Sequence, residues 1–277
     1  MTNSDKAYRR ENAIQLASGP GMVFQESCLI CDGKIEQGTE SITSGIRHFE
    51  VVPGVLIPQY IMLAFGTCEV CGVRVQSPRM PDKALETYYT GSAYRDLIPQ
   101  PRTAADREVV EVWRPNFVYD LIEDNPPSVK THLDFGGDTG LMGSIMIEKQ
   151  NYASFLVELS EESRNYAETV HEIPATAKLP PIAHKFGLIT ALEVVEHVPN
   201  PVEVVQSLYN RLEDGGLLII SVPEVKKGSP QYFSLHHIHV FTEISLRKLM
   251  SRAGVVEPLR IVQKTDSLFL SVTRRKL

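Results

Sequence analysis

From Thr131 onward, short apolar runs alternate with stretches of helical period, the pattern of a parallel sheet with crossover helices. The runs are THLDFG (131–136), SFLVELS (154–160), FGLITALEV (186–194) and GGLLIISVPE (215–224). Between them, LMGSIMIEKQ, EESRNYAETV and NPVEVVQSLYNRL place apolar residues at helical spacing, and TEISLRKLMSRAG follows the last run. VEPLRIVQK and SLFLSVTRR then form an expected antiparallel pair turning around Thr265 and Asp266. Upstream the pattern differs. RHFEVV and QYIMLAFGTC are strand candidates, Pro78 and Pro81 end that region, and Asp82 caps an expected helix through Leu85 and Tyr88. A second helical stretch, AADREVVEVWRPNFVYDLIED, is interrupted by Pro115, and DNPPSVK is a linker. Three segments result: an N-terminal domain over 1–80, a helical connector over 81–130 and an α/β domain over 131–277.

Composition narrows the class. With 277 residues and 43% hydrophobic content the chain can bury one sizeable core and carry a smaller module, which excludes a disordered or fibrous protein. No apolar stretch reaches 18 residues and the first residues are charged, so no membrane span or signal peptide is expected and the predicted location is the cytoplasm. A net charge of -6 gives no overall attraction to nucleic acid or anionic membrane and favours a small-molecule partner, with Arg274, Arg275 and Lys276 a local basic exception. Oligomeric state leaves no mark on the sequence.

The four cysteines form two C-x2-C turns, Cys28/Cys31 and Cys68/Cys71, with 36 residues between them. Each turn offers two sulfurs from one bend, and two turns complete a closed tetrahedral zinc site of the structural kind. Disulfides conflict with a reducing compartment, and unrelated free thiols conflict with the paired spacing. Gly33 and Gly72 just past the turns suit unusual backbone angles.

The stretch THLDFGGDTG ends a strand at Asp134 and follows it with Gly136, Gly137 and Gly140 before a helix. Backbone without side chains can approach a ligand closely at the carboxyl edge of the sheet. Glu158 ends the next strand, 22 residues past Gly136, where a carboxylate can accept hydrogen bonds from both ribose hydroxyls of an adenosine cofactor. These features fit a dinucleotide or S-adenosylmethionine. The dinucleotide spacing G-x-G-x-x-G cannot be placed on this loop, which makes NAD the weaker choice.

LDFGGDTG, LVELSEES, FGLITALEVVEHVPNPVEVVQSLYNRLEDGGLLIISVPE and HHIHVFTEISLRKLMSRAG resemble, in order, the motifs of class I S-adenosylmethionine-dependent methyltransferases. The cysteine turns followed by CGVRVQSPRM and LETYY resemble the zinc-binding domain fused to a branch that includes sugar C-methyltransferases. The resemblance implies an α/β fold: a Rossmann-like seven-stranded sheet with its last strand antiparallel, preceded by a zinc ribbon and helical connector. It places the cofactor over Asp134 to Gly140, Glu158 on the ribose, and Leu192 and Glu193 near the methionine part. Asp138 stands where the family's loop has its middle glycine. Asp tolerates left-handed backbone angles, so the turn can survive, but a carboxylate turned inward would face the cofactor's own carboxylate. HEIPATAKLPP lacks the family's acidic residue at the end of the third strand, which leaves the adenine contact unassigned.

Methyl transfer to a hydroxyl or carbon acid calls for a base, and histidine suits neutral pH. His197 in EVVEHV and His236, His237 and His239 in SLHHIHVF follow strand ends where substrates bind. The resemblance favours His237, then His197, with Glu196 orienting a neighbour or stabilising a helix dipole. Tyr88, Tyr89 and Tyr94 either wall an acceptor pocket or pack the connector, and Trp113 is a core residue. The expected activity is methyl transfer to a small molecule, and the resemblance implies an acceptor such as a nucleotide-linked sugar. The alternatives are an RNA methyltransferase gripping RNA through the ribbon, and a scaffold that has lost its cofactor.

Overall fold

The structure, a computed structural model, describes residues 23–52, 55–90, 103–224, 237–255, 260–265 and 267–273. Tyr94, His236, Asp266, Arg274, Arg275 and Lys276 lie outside the described residues. The chain divides into two compact units, one holding residues through Pro81 together with Pro223–Leu249, the other Asp82–Val222 and Met250–Leu277.

The first unit carries a four-stranded sheet in the order β1-β2-β3-β9. Strands β1 (Ile35–Val52) and β2 (Val55–Cys68) form a long antiparallel hairpin whose register pairs Ile35 with Cys68 and Val52 with Val55. RHFEVV and QYIMLAFGTC fall within it. Strand β3 (Arg74–Gln76) pairs with β2 and with β9 (His239–Val240), so the histidine-rich segment returns to this sheet. The Arg74 guanidinium lies 4.8 Å from the Phe65 ring centroid, a cation–π contact between β3 and β2.

The second unit is built on a seven-stranded sheet, β10-β11-β8-β7-β4-β5-β6. Its strands are β4 (Thr131–Phe135), β5 (Ala153–Val157), β6 (Ala175–Thr176), β7 (Phe186–Leu192), β8 (Leu212–Pro223), β10 (Arg260–Lys264) and β11 (Ser267–Thr273). Pairings among β8, β7, β4, β5 and β6 are parallel, while β10 and β11 run antiparallel to each other, as the sequence pattern predicts. Strand β7 is buried along nearly its whole length, the signature of a parallel strand covered on both faces.

Helices α1 (Asp82–Thr90), α2 (Ala104–Glu111) and α3 (Trp113–Ile122) precede the sheet, α4 (Leu141–Gln150), α5 (Glu161–Val170) and α6 (Pro201–Tyr209) are its crossovers, and α7 (Glu243–Arg252) comes late in the chain. Thr103 and Asp106 form a reciprocal capping box at the start of α2, satisfying two amides that a helix N-terminus leaves without partners. The break in the connector falls at Val112, before Pro115 rather than at it. Pro115 sits in the first turn of α3, where its missing N–H costs no helical hydrogen bond, and a helix uninterrupted from α2 would have needed that donor. Ser160 caps α5, and Asn200 with Pro201 starts α6.

Val118 and Ile122 of α3, Met142, Ile145 and Met146 of α4, Leu188, Ile219 and Phe269 make the principal core. Trp113 packs against it, its ring centroid 6.2 Å from that of Phe269, and Phe117 lies closer at 4.8 Å, both edge-on. Burying the Phe269 ring contributes about 2 kcal/mol. This packing fixes α3 and α4 against the sheet and thereby the loop that opens α4.

Candidate active site and cysteine cluster

The loop between β4 and α4 depends on three left-handed residues: Gly136 at φ 71°, Asp138 at φ 47° and Gly140 at φ 83°. Gly136 N–H donates to the Val157 carbonyl at 2.7 Å, tying the loop to the end of β5, and Gly140 N–H donates to the Gly137 carbonyl at 2.9 Å. Gly137 is required for a different reason. A Cβ there would lie 1.9 Å from Oδ2 of Asp134, so the loop crosses directly over that carboxyl group.

Asp134 is 2% exposed; its Oδ1 accepts from the Thr190 hydroxyl at 2.7 Å, while Oδ2 has no hydrogen-bond partner among the described residues. Burial pushes this carboxyl up to about 7, with the charges of Glu158 and Asp138 adding to it and the Thr190 hydrogen bond opposing. The unpartnered acceptor thus lies directly beneath the backbone of a side-chain-free loop, where it contributes negative potential under that loop.

Asp138 does not enter that space. Its carboxylate receives both arms of the Arg107 guanidinium, Nε to Oδ2 at 2.7 Å and Nη2 to Oδ1 at 3.1 Å, and also accepts from the Ser163 hydroxyl. The residue in the glycine position is thus held by α2 and by the first turn of α5, whose positive end favours an anion. The neighbouring Glu108 of α2 accepts from His171 Nε2 at 2.6 Å and Tyr166 Oη at 3.5 Å, which docks the same helix on α5 a second time. Sequence reasoning missed Arg107 and Ser163: Arg107 lies 31 residues from Asp138 outside any motif, and Ser163, 25 residues away, ends LVELSEES without any sign there of what it contacts.

Glu158 follows β5 at the loop's side. One carboxylate oxygen accepts from the Asp138 amide at 3.2 Å, the other from the Ser160 amide at 2.8 Å. Leu192 ends β7 and packs against the principal core, and Glu193 follows at φ 55°. Glu193 is fixed at both ends by Ser221, whose hydroxyl accepts from the Glu193 amide at 3.1 Å and donates to Oε1 at 2.8 Å. Asp134, Gly136, Gly137, Asp138, Gly140 and Glu158 are thus brought together by direct contact, with Leu192 and Glu193 at the carboxyl end of β7, which pairs with β4.

Beyond Glu193, Glu196 is 1% exposed, and neither carboxyl oxygen has a hydrogen-bond partner among the described residues. Burial and then the charge of Glu193 raise it well above the ordinary carboxylate range. His197 Nε2 lies 3.5 Å from Glu196 Oε1, and its Nδ1 is 3.1 Å from the Tyr89 hydroxyl, with the Tyr89 ring edge-on at 5.8 Å. Tyr88 meets Tyr89 edge-to-face with ring centroids 5.1 Å apart and is itself buried, so the connector tyrosines both pack and reach a candidate site residue. His237 and His239 belong to the first unit, both buried, His239 in β9 opposite Val75.

The cysteine turns are near copies of one another. The amide four residues on donates to the first cysteine's carbonyl in each, Asp32 to Cys28 at 2.9 Å and Gly72 to Cys68 at 3.0 Å, and both donors have left-handed backbone, φ 59° and 72°. The strained position in the first turn is therefore Asp32, not Gly33. Gly33 is needed because a Cβ would lie 2.9 Å from the Cys68 sulfur and 2.7 Å from Val70. The four sulfurs lie within 4.8 Å of one another, Cys28 to Cys71 at 3.6 Å and Cys31 to Cys68 at 3.4 Å. A tetrahedral zinc with Zn–S near 2.3 Å has sulfur–sulfur edges of about 3.8 Å, so this donor set fits such an ion. Burial pushes the Cys28 thiol up to about 11 and raises Cys71; at Cys68 burial is outweighed by the Cys71 and Val70 amides, which hold it at about 7.

Among the described residues no helix is long and apolar enough to cross a membrane. A 37-residue stretch is 57% identical to ubiquinone biosynthesis O-methyltransferase of Glaesserella parasuis serovar 5 (strain SH0165), covering 13% of this chain and only 16% of that protein. Two solved structures share the fold. Magnesium protoporphyrin IX methyltransferase from Synechocystis PCC 6803, with bound SAH, superposes at a TM-score of 0.51 and 13% identity over 70% of this chain and 99% of the other. An O-methyltransferase family protein from Burkholderia thailandensis superposes at 0.50 and 10% identity over 68% of this chain and 64% of the other. The family model described as "Methyltransferase domain" matches residues 109–256, more than half of the chain, and with a glycine loop and acidic strand ends on a seven-stranded, mostly parallel sheet, the chain belongs to that methyltransferase family.

Proposed function

We propose that the protein transfers a methyl group from S-adenosylmethionine to a small-molecule acceptor. The carrying observation is the loop over Asp134, with Glu158 bonded to the loop's own Asp138 amide. When bound, the cofactor supplies an electrophilic methyl group on a sulfonium. Gly136, Gly137 and Gly140 would admit its backbone-facing part, Glu158 would take the ribose hydroxyls, and Leu192 and Glu193 would border the methionine portion. The outward-held Asp138 leaves that space without an opposing carboxylate.

The protein's remaining task is to orient the acceptor and move its proton. His197 is our candidate base, oriented by Tyr89 with the buried Glu196 alongside. His237, with His236 and His239 in the same segment, is the second candidate from the resemblance to sugar methyltransferases. A nucleotide-linked sugar is the acceptor class that resemblance favours. The four cysteines hold a structural zinc that ties the two turns at the base of the β1–β2 hairpin; the chemistry needs no open position on it.

Calorimetric titration of Glu158→Ala tests the cofactor assignment. Loss of the ribose contact weakens S-adenosylmethionine binding by about 1–3 kcal/mol; unchanged affinity removes Glu158 from the site.

A further inference from the structure

Beneath α4, four polar side chains are threaded through the core. Register puts them on one face: in a parallel sheet, residues opposite one another share a face, and so do residues two apart on a strand. His132 is opposite Ser154 of β5, Asp134 is opposite Thr190 of β7, and His132 and Asp134 are two apart on β4. The side chains connect in sequence. Ser154 Oγ is 3.1 Å from the Gly143 carbonyl and 3.2 Å from His132 Nδ1; His132 Nε2 is 2.8 Å from Thr190 Oγ1, which is 2.7 Å from Asp134 Oδ1. His132 and Thr190 are fully buried, Ser154 and Asp134 nearly so.

With both ring nitrogens of His132 hydrogen-bonded and any carboxyl proton seated on Oδ1, two arrangements of this chain remain. Each hydroxyl has one proton to give, and a neutral imidazole has one. His132 stays neutral, because burial drives it down to about 3. If Asp134 is ionised, Thr190 must donate to it, His132 must donate to Thr190 from Nε2, and Nδ1 accepts from Ser154. That leaves the Gly143 carbonyl without the serine proton. If Asp134 is protonated, every bond reverses: Asp134 donates to Thr190, Thr190 to Nε2, Nδ1–H to Ser154, and Ser154 to Gly143 in α4. The second arrangement has one more hydrogen bond, which offsets part of the cost of burying the carboxyl group.

We propose that His132 and Thr190 are positioning residues that set the charge of Asp134 beneath the glycine loop, the tautomer of His132 switching between Nε2–H and Nδ1–H as Asp134 loses or gains its proton. The charged groups facing Asp134 are Glu158 from the end of β5 and Asp138 from the loop, the latter paired with Arg107; Thr190 of β7 is uncharged. Near His132 the aromatic neighbour is Tyr152, with ring centroids 6.4 Å apart and a phenol raised by burial, so it stays silent at neutral pH. The functional consequence rests on the cofactor reading. A positive charge held above the loop favours the ionised arrangement and the loss of one proton, so the site discriminates for positively charged ligands.

The test uses the ligand-free full chain, so it stands or falls independently of any cofactor. Nitrogen-15 imidazole spectra are recorded from pH 5.5 to 8.5, with the His132 signals assigned by their disappearance in His132→Gln. The expected result is a neutral ring that passes from Nδ1–H to Nε2–H as pH rises through about 7. In Thr190→Val the dependence disappears; in Asp134→Asn, which carries no titrating carboxyl group, the ring keeps one tautomer at every pH. A single tautomer throughout in the wild type, or a pH-driven exchange that survives in either variant, overturns the proposal.

Discussion

Removal of the Arg107 side chain is the perturbation most informative about the glycine loop. Its guanidinium side chain is 14% exposed and grips Asp138 through two bonds, while the Asp138 side chain is 43% exposed. Two unit charges about 4 Å apart interact by about 4 kcal/mol at an effective dielectric of 20, which bounds the attraction from above. Solvent screening at the aspartate and the cost of burying the guanidinium reduce this, and half-exposed pairs retain up to about 1 kcal/mol. A bidentate fork adds geometric rigidity, which places the coupling at about 1–2 kcal/mol. Arg107→Ala also leaves a carboxylate at a left-handed position beside Glu158 and Asp134. Urea unfolding of wild type, Arg107→Ala, Asp138→Gly and the double variant closes the cycle. We expect Arg107→Ala to lose about 2 kcal/mol and Asp138→Gly to lose less, because glycine accepts φ 47° without strain. The double variant should recover part of the arginine loss. Affinity for S-adenosylmethionine should fall about tenfold in Arg107→Ala, since 1.4 kcal/mol is one decade, and Asp138→Gly should not tighten binding. Strict additivity, or tighter binding by Asp138→Gly, refutes the idea that Arg107 holds this carboxylate out of the site.

Two further outcomes follow from the geometry. Gly137→Ala drives a methyl group into the Asp134 carboxyl and should abolish measurable cofactor binding while the far-UV spectrum is retained; binding within threefold of wild type would show that the loop does not ride on Asp134. Chelation should remove about one zinc per chain and unfold the cysteine turns, read by loss of amide-exchange protection over residues 23–37 and 64–76, whereas a metal-free chain with that protection intact would contradict the zinc assignment.

Much of the fold was legible because the strands of the second unit are short apolar runs separated by helical periods, and Asp134 and Glu158 mark the ends of two of them. The helix break lies at Val112 rather than at Pro115 because proline is tolerated in the first turn of a helix, so the new helix begins at Trp113 and takes Pro115 into that turn. The Arg107–Asp138 pair left no sequence signal, since it joins two elements through tertiary packing alone. The Ser154–His132–Thr190–Asp134 chain was equally hidden: strands buried on both faces do not alternate, so nothing in the pattern says which residues share a face until register is known. At the cysteines, spacing identified the ligand set, but the left-handed angle fell on Asp32 because the turn closes one residue earlier than the glycine suggested.

The central claim is that this glycine loop, with Asp138 held away by Arg107, accepts S-adenosylmethionine. Parallel calorimetric titrations of the purified chain with S-adenosylmethionine and with NAD test it most directly. The account predicts saturable one-to-one binding of S-adenosylmethionine and no heat of binding with NAD; binding of NAD, or of neither ligand, would contradict it.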